Sequence, residues 1–154
     1  MATFDNSALV REVMDAYNEK DVERALRVCA PDAHMTVVPF GQTLSFADDF
    51  RNWATAFPDG KIEFLSLLAQ GDFVVAECYG RGTNSGPLEG PEGRIPPTNR
   101  RGELRFMNIY ECRDGKIIGA RMYFDSLSLM AQLGLAHPPP TRVVPAAEQP
   151  ALRH

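Results

Sequence analysis

The residues best suited to chemistry lie between Lys116 and Gly134, a stretch that predicts a strand running directly into a short helix. Asp125 stands at the junction, after residues 117–124, which are apolar or aromatic except for Arg121. A carboxylate in that position can cap the following helix, or it can act as a general acid or base at the end of a buried pocket. The two roles do not exclude each other. Whether Asp125 has the second role depends on whether the elements around it form a pocket.

A hairpin is predicted where residues 102–112 and 117–125 meet, because Asp114-Gly115 is a strong signal for a two-residue turn. Side chains alternate between the two faces of a strand, so one face of this hairpin mixes aromatic rings, an amide, a guanidinium and the Asp125 carboxylate. We expect this mixed face to line a pocket rather than to be solvated. In the simplest register its facing pairs are Tyr110 and Gly119, Asn108 and Arg121, Phe106 and Tyr123, and Leu104 and Asp125.

The opposite face of the same hairpin is apolar and predicts an association surface. Such a face would be exposed on a monomer if the helices cover only the concave side of the sheet, and exposed apolar patches usually meet a partner. We therefore expect a homodimer or a larger homo-oligomer, formed by sheet-to-sheet contact with Met122 and Phe124 near its centre. The face consists of Met107, Ile109, Ile118, Ala120, Met122 and Phe124.

Three stretches of the first 60 residues have the spacing of amphipathic helices. The first covers residues 7–19, and the second begins at Val22 and stops before Pro31. The third helix follows a capping box that starts at Ser45, and the helix ends before the turn at Pro58.

The second half of the chain changes to strand periodicity, with a first hairpin formed by residues 61–69 and 72–83. Residues 82–100 are dense in glycine and proline and predict a loop across one end of the sheet. Helices followed by antiparallel strands predict an α+β fold, a conical barrel whose curved antiparallel sheet wraps around the three N-terminal helices and encloses a pocket. Residues 1–135 are expected to form one domain, followed by a proline-rich tail over residues 136–154.

Several polar and aromatic residues are candidates for binding a substrate in that pocket. Tyr17 and Trp53 lie on the apolar faces of their helices, where they either pack in the core or line the pocket against a flat ligand. Asn108, Tyr110 or Arg121 could stabilise an oxyanion that develops during a reaction. The substrate-binding candidates are Tyr17, Trp53, Asn84, Asn108, Tyr110 and Tyr123, and the catalytic candidates are Asp125 and Arg121.

Composition excludes several classes of function. The chain has 154 residues and a formal net charge of −4, which argues against nucleic acid or an anionic membrane as a partner. The sequence has no signal peptide pattern and no apolar run of about 20 residues, so we expect a cytoplasmic protein. Its three cysteines have no metal-type spacing and predict buried free thiols. Nucleotide-binding and metalloprotease motifs are absent from the sequence, so neither a cofactor nor a metal is predicted.

The chain resembles the SnoaL-like polyketide cyclases, within the superfamily named for nuclear transport factor and ketosteroid isomerase. The resemblance covers nearly all of the chain to residue 134. Its last element, DGKIIGARMYFDSLSLMAQLG at 114–134, ends in the pattern D-x-L-x-L-x-x-Q-L-G. The other segments that carry it are AYNEKDVERALRVCAPDAHM at 16–35, NWATAFPD at 52–59, QGDFVVAECYGRGTNSG at 70–86 and IPPTNR at 95–100.

This resemblance implies a conical α+β barrel, a dimer or tetramer, and an intramolecular aldol closure that needs no metal or cofactor. It also implies an acid on the last strand as general acid and base, and Asp125 matches that acid. The chain departs from its relatives at Asn84, where many carry a histidine, and in a loop lengthened by GPEG at 90–93. The expected substrate is a small molecule with a hydrophobic or aromatic body.

Two other functions remain open from the residues alone. Hydrolysis of an epoxide in the same fold would need a second inward carboxylate near Arg121, and Glu77 is the best candidate. A binding or dimerisation module would need no chemistry at all, and Asp125 would then serve only as a helix cap.

Overall fold

The helical periodicity of the first 60 residues forms three helices, as the sequence predicts: α1 (Asn6–Glu19), α2 (Val22–Leu26) and α3 (Phe46–Ala56). Asp5, Asp21 and Ser45 cap them, each accepting a hydrogen bond from a backbone N–H three residues on. The computed structural model describes residues 5–137, so nearly all of the proline-rich tail predicted at 136–154 lies outside the described residues.

The second helix ends earlier than predicted. It stops at Leu26, and the first strand begins at Cys29, where the sequence predicts helix. A further strand that the sequence did not suggest, Gln42–Ser45, returns antiparallel to the first and leads into α3.

Six strands form one curved sheet: β1 (Cys29–Val37), β2 (Gln42–Ser45), β3 (Lys61–Gln70), β4 (Phe73–Thr83), β7 (Arg101–Arg113) and β8 (Lys116–Phe124). Their order across the sheet is β2-β1-β8-β7-β4-β3. The α+β class and the wrapped sheet are confirmed, but the sheet stays open between β2 and β3, and β1 pairs parallel to β8.

The core lies between the helices and the concave face of this sheet. Alternate residues of β4, which are Val74, Ala76 and Cys78, are fully buried there against residues such as Val10 of α1. Fully burying a side chain of valine size contributes about 1.5–3 kcal/mol, so this face fixes the strands against the helices. All three cysteines are buried free thiols, as predicted. No helix between residues 5 and 137 is long and apolar enough to cross a membrane.

The glycine- and proline-rich loop contains a small hairpin, β5 (Leu88–Gly90) and β6 (Gly93–Ile95), and Asn84 ties this loop to the end of α3. The Asn84 amide donates to the carbonyls of Ala56 and Gly86 at 3.1 and 2.9 Å, and its oxygen accepts from the Thr98 N–H and hydroxyl at 3.0 and 2.9 Å. A side chain at Gly86 would place its Cβ 1.9 Å from the Thr55 carbonyl oxygen, so the loop lies directly on the helix end. Asn84 therefore has its hydrogen-bonding capacity filled by the fold.

We expect Asn84→Ala to lower the free energy of unfolding by about 3 kcal/mol, because it leaves buried carbonyl and N–H groups without partners. Urea denaturation measures this loss. Gln70→Ala, at the exposed end of β3, is the control and should stay within about 0.5 kcal/mol of wild type. A loss at Asn84 no larger than the control's would contradict the tethering role.

Candidate active site

A one-residue bulge in the β7–β8 hairpin decides which side chains enter the interior. The pairs next to the turn are as predicted, with Arg113 opposite Lys116. Beyond Cys112 the register shifts by one, so that Asn108 faces Met122 and Ile109 faces Arg121. The register predicted from the sequence was wrong because it had no bulge, and a one-residue slip sends every later side chain of a strand to the other face.

The shift has a clear energetic reason. It turns Met122 and Ala120 toward the core and leaves Arg121 exposed to solvent. In the predicted register the guanidinium would have been buried, and burying an unpaired charge costs far more than burying a methionine gains. The apolar face predicted for association therefore loses Ala120, Met122 and Phe124, which point inward, whereas Met107 and Ile109 lie on the outer face.

Asp125 and Arg121 do not share a pocket. Asp125 is exposed and caps α4 (Ser126–Gln132), accepting a hydrogen bond from the Ser128 N–H at 3.0 Å. Arg121 and Tyr123 lie on the outer face of the sheet, and neither they nor Asp125 line the interior cavity. The catalytic roles predicted for Asp125 and Arg121 stay predictions, without a shared cavity to support them.

An interior cavity lies between α1, α3, α4 and the concave face of the sheet. It encloses about 840 Å³ of space between atoms, including the part open to solvent. Four of the predicted binding residues, Tyr17, Trp53, Asn108 and Tyr110, line it, and Asn84 and Tyr123 do not. The other lining residues include two cations, Lys61 and Arg81. Most of the rest are apolar, among them Met14, Met35, Phe46, Phe50, Phe57, Phe106, Met122 and Leu129.

Aromatic rings form one side of this cavity. Trp53 stacks on Phe57, with ring centroids 5.9 Å apart and planes inclined by 18°. The rings of Trp53 and Phe124 are nearly perpendicular, also with centroids 5.9 Å apart. Tyr17 packs edge-on against Phe50 at 5.5 Å. Rings held by such contacts present a rigid apolar surface to a ligand.

Asn108 and Tyr110 form a buried polar pair on neighbouring inward positions of β7. The Asn108 amide nitrogen donates to the Tyr110 hydroxyl at 2.9 Å, and both residues are almost fully buried. Because the hydroxyl oxygen accepts this bond, its proton is free to be donated to a ligand. Burial raises the pKa of Tyr110 above its usual range, so the group stays a neutral donor. The Asn108 amide oxygen has no hydrogen-bond partner.

Asp49, which the sequence analysis missed, is the one carboxylate that lines the cavity in the part of the chain that the structure describes. It is 5% exposed, and its Oδ1 atom has no hydrogen-bond partner. Burial raises the pKa of Asp49 to about 7, and the Trp53 side chain opposes this shift in part. The signal was present in the sequence, because Asp49 stands with Phe46, Phe50 and Trp53 on the apolar stripe of α3.

These groups can together move a proton at carbon. A carboxyl group whose pKa lies near neutrality is an efficient general base and, once protonated, an efficient general acid. The Tyr110 hydroxyl supplies a neutral donor for an oxygen that gains charge during the reaction.

Features of two other reaction classes are not assembled here. Glu77, the second acid proposed for epoxide hydrolysis, lies on the outer face of β4, with an oxygen 3.9 Å from an Arg105 nitrogen. Within residues 5–137, no three histidine, cysteine, aspartate or glutamate side chains come together as metal ligands do.

Comparison with known proteins finds solved structures that share this fold. IdmH of Streptomyces antibioticus, a proposed polyketide cyclase, is 25% identical; the match covers 84% of this chain and 99% of IdmH, with a TM-score of 0.68. TsrD of Streptomyces laurentii is 25% identical over 87% of this chain and 100% of its own, with a TM-score of 0.73. AclR of Streptomyces galilaeus, a proposed hydroxylase, shares the fold at 24% identity, covering 86% and 83% of the two chains with a TM-score of 0.71.

No protein of curated function matches the chain significantly. The family described as SnoaL-like polyketide cyclase, however, matches residues 7–133, which include every helix and strand that lines the cavity except the first residue of α1. The chain therefore belongs to the SnoaL-like polyketide cyclase family.

Proposed function

We propose that the protein is a cofactor-free cyclase-type enzyme in which Asp49 is the general acid and base for an activated carbonyl substrate. One observation carries this proposal: a buried carboxylate with an unpartnered oxygen lies in the wall of a mostly apolar cavity. A buried acceptor without a partner is costly to a fold, and use by a ligand or a reaction is one reason for a protein to retain it.

The reaction follows from the groups that face the cavity. The Asp49 carboxylate takes a proton from a carbon next to a carbonyl, and the electron pair moves onto that carbonyl oxygen. The Tyr110 hydroxyl donates a hydrogen bond to this enolate oxygen, and Asn108 holds the hydroxyl in place. The enolate carbon then attacks a second carbonyl of the same molecule and forms a carbon–carbon bond. Asp49 returns its proton to the new alkoxide, so the step is an intramolecular aldol addition with no net gain or loss of protons.

The cavity surface supports a hydrophobic or aromatic substrate. Stacked Trp53 and Phe57 offer a flat wall, and Gly80 and Gly102 leave backbone rather than side chains on the sheet side. Holding a flexible chain folded in such a cavity converts a rare encounter of its two reacting carbons into a frequent one.

A model reaction tests Asp49 without knowledge of the natural substrate. Elimination of 5-nitrobenzisoxazole needs only a base that removes a proton from carbon in an apolar site, and its phenolate product is coloured. We expect the wild-type rate to rise with pH through about 7, as Asp49 ionises. Asp49→Asn keeps the shape and removes the base, so the rate should fall about 100-fold or more.

Asp125→Asn is the matched control, because it removes the other candidate carboxylate and keeps a residue that caps a helix equally well. Its rate should stay close to that of wild type. A large loss in Asp125→Asn with Asp49→Asn unaffected would return the catalytic role to Asp125, and an unaffected rate in both would end the proposal of a carboxylate base.

A base held in an apolar site should also weaken the fold at high pH. The pKa of Asp49 is raised from 3.8 to about 7 in the folded protein, so the folded state prefers the neutral acid. Its contribution to stability is complete below pH 4 and is lost as the pH rises to about 7. We expect Asp49→Asn to gain about 3 kcal/mol relative to wild type between pH 4.5 and 8, measured by urea denaturation. Asp48→Asn changes an exposed acid on the same turn and is the control. If Asp49→Asn changed the free energy of unfolding equally at both pH values, the raised pKa of Asp49 in the folded protein would be contradicted.

We further propose a homodimer formed by the outer face of the sheet. The centre of its interface is not at Met122 and Phe124, as the sequence suggested, but at Met107 and Tyr123. Phe124 packs inside against Phe40 and Trp53, with ring centroids 5.5 and 5.9 Å away, so it is unavailable to a partner. Met107 and Tyr123 face each other across β7 and β8 and are 38% and 37% exposed. Charges of both signs flank them, carried by Glu77, Arg105 and Arg121, so a two-fold axis can bring opposite charges together.

Met107→Lys should therefore shift the protein toward monomer, because it places a charge in the centre of the apolar contact. Sedimentation velocity at micromolar concentration measures the change. Leu68→Lys, at an exposed leucine on the edge strand β3, is the control and should leave the dimer intact. A monomeric wild type would end the proposal and leave the cavity chemistry unaffected.

A further inference from the structure

Helix α4 takes the place of a strand in the wall of the large cavity. Strand β8 ends with Phe124, which pairs with Phe106 of β7. Residues 101–105 of β7 pair with β4 on one side, and within residues 5–137 no strand pairs with them on the other side. Helix α4 packs against β7, and Leu129 of this helix lines the cavity. A short helix therefore closes the cavity where the sheet has a free edge.

The side chain of Gln132 fastens α4 to this free edge. Its Oε1 atom accepts a hydrogen bond from the Glu103 backbone N–H at 2.7 Å, and its Nε2 atom donates to the Glu103 carbonyl at 2.9 Å. One carboxamide thus makes both of the backbone hydrogen bonds that a neighbouring strand would make. The two bonds are exposed to solvent, and exposed hydrogen bonds belong to the parts of a protein that open most readily.

The apolar contacts of α4 are few and lie outside the main core. Leu129 and Leu133 occupy the space beside Gly102, where an added Cβ would lie 3.3 Å from Leu129 Cδ1 and 3.7 Å from Leu133 Cδ2. Together with Phe57 and Leu88 they belong to a small apolar cluster, separate from the large cluster between α1 and the sheet. Movement of α4 would therefore leave the large cluster in place.

Caps at both ends allow α4 to move as one body. Asp125 caps its first turn. At the other end Gly134 has a φ of 74°, and its N–H donates to the Ala131 carbonyl at 3.0 Å. The Leu135 N–H donates to the Met130 carbonyl at 2.8 Å, which completes a Schellman motif. These hydrogen bonds are internal to the helix and its caps, so they persist when the helix leaves the sheet.

We propose that α4 is a lid over the cavity and that Gln132 is the positioning residue that holds the lid closed. A ligand enters and leaves when both Gln132 hydrogen bonds break and α4 turns away from β7 about the junction of Phe124 and Asp125. The pattern D-x-L-x-L-x-x-Q-L-G then describes the lid: Asp125 begins it, Leu129 closes the wall, Gln132 fastens it and Gly134 ends it.

A lid at this place has a use in turnover, and that use rests on the proposed function. With α4 closed, the almost fully buried Leu129 separates the cavity from solvent on that side. An enolate formed inside is then kept from water that would protonate it before its carbon attacks the second carbonyl. Opening of the lid afterwards releases a product that fills the cavity.

The first test measures opening in the wild-type protein by amide hydrogen exchange, followed by NMR at increasing urea concentrations below the unfolding transition. The Glu103 amide donates to Gln132, so it should exchange whenever the lid opens. Such a local opening exposes little surface, and its rate should change little with urea. The Asn108 amide lies in the middle of β7, between β4 and β8, and should exchange only by global unfolding, with a rate that rises steeply with urea.

The second test measures access to the cavity. Binding of 1-nitronaphthalene, a flat apolar quencher, is followed by stopped-flow fluorescence of Trp53, the one tryptophan of the chain, which lines the cavity. In wild type the binding rate should level off at high probe concentration, because entry waits for the lid. Gln132→Met keeps the length of the side chain and removes both hydrogen bonds, so this plateau should rise about ten-fold.

A merely structural role of Gln132 would give a different result. It would weaken binding without accelerating it. A lid that opens more often accelerates association and dissociation together and leaves Kd nearly unchanged, because the free and bound proteins are affected alike. Leu127→Met is the matched control, since it places methionine at an exposed position of the same helix and should keep the wild-type plateau.

Three results would each overturn the proposal. They are a Glu103 amide whose exchange accelerates with urea as that of Asn108 does, wild-type binding that is absent or has no plateau, and equal plateaus in Gln132→Met and Leu127→Met. If Gln132→Met fails to fold, the exchange measurement on the wild-type protein decides. Neither test needs turnover, so failure of the lid is distinct from a failure of the elimination assay to require Asp49.

Discussion

The interior depends on the bulge in the β7–β8 hairpin. It lies between the pairs Cys112–Ile117 and Glu111–Gly119, so that Ile118 is the extra residue on β8. Near the turn the hairpin pairs as its Asp-Gly dipeptide dictates, but a sheet that continued in that register would bury Arg121 and expose Met122. One extra residue resolves the conflict between local turn chemistry and the burial of apolar side chains. Since β8 lies at the centre of the sheet, between β1 and β7, the same slip sets the surface that faces the helices and the surface left outside.

A second conflict lies in the burial of Asp49, because its charged form is less stable in an apolar site than in water. The fold does not remove this conflict. Every other position on the inward stripe of α3 is apolar, and the tight packing of Phe46 and Phe50 leaves the carboxylate largely without water. A domain of this size is stable by a margin of about 5–15 kcal/mol, so a group that disfavours its own charged form consumes a measurable part of it. Retaining an acid there is consistent with selection for chemistry rather than for stability.

The sequence predicted the elements well, because caps and periodicity are local properties. Ser45, Pro58 and the Asp114-Gly115 turn each act within a few residues, and the observed boundaries of α3 and of the last hairpin follow them closely. The candidate site was predicted less well, because it depends on register and on contacts distant in sequence. Tyr17 and Trp53 were placed at the cavity by their helix faces alone, whereas Arg121 was misplaced by a bulge that only the packing of the whole sheet determines. Asn84, expected at the substrate, instead fastens a loop to α3 through residues up to 28 positions away.

The position of the acid explains how it can be both buried and ionisable. The family resemblance implies an acid on the last strand, yet the inward positions of β8 carry Ala120, Met122 and Phe124. The acid that faces the cavity comes instead from the first turn of α3, where Asp48 and Asp49 follow the Ser45 cap. Its place on this helix puts it one turn before Trp53, and the Trp53 side chain lowers the pKa that burial has raised. A carboxylate in an apolar cavity can lose its proton near neutral pH only where such an interaction offsets part of the cost of burying its charge.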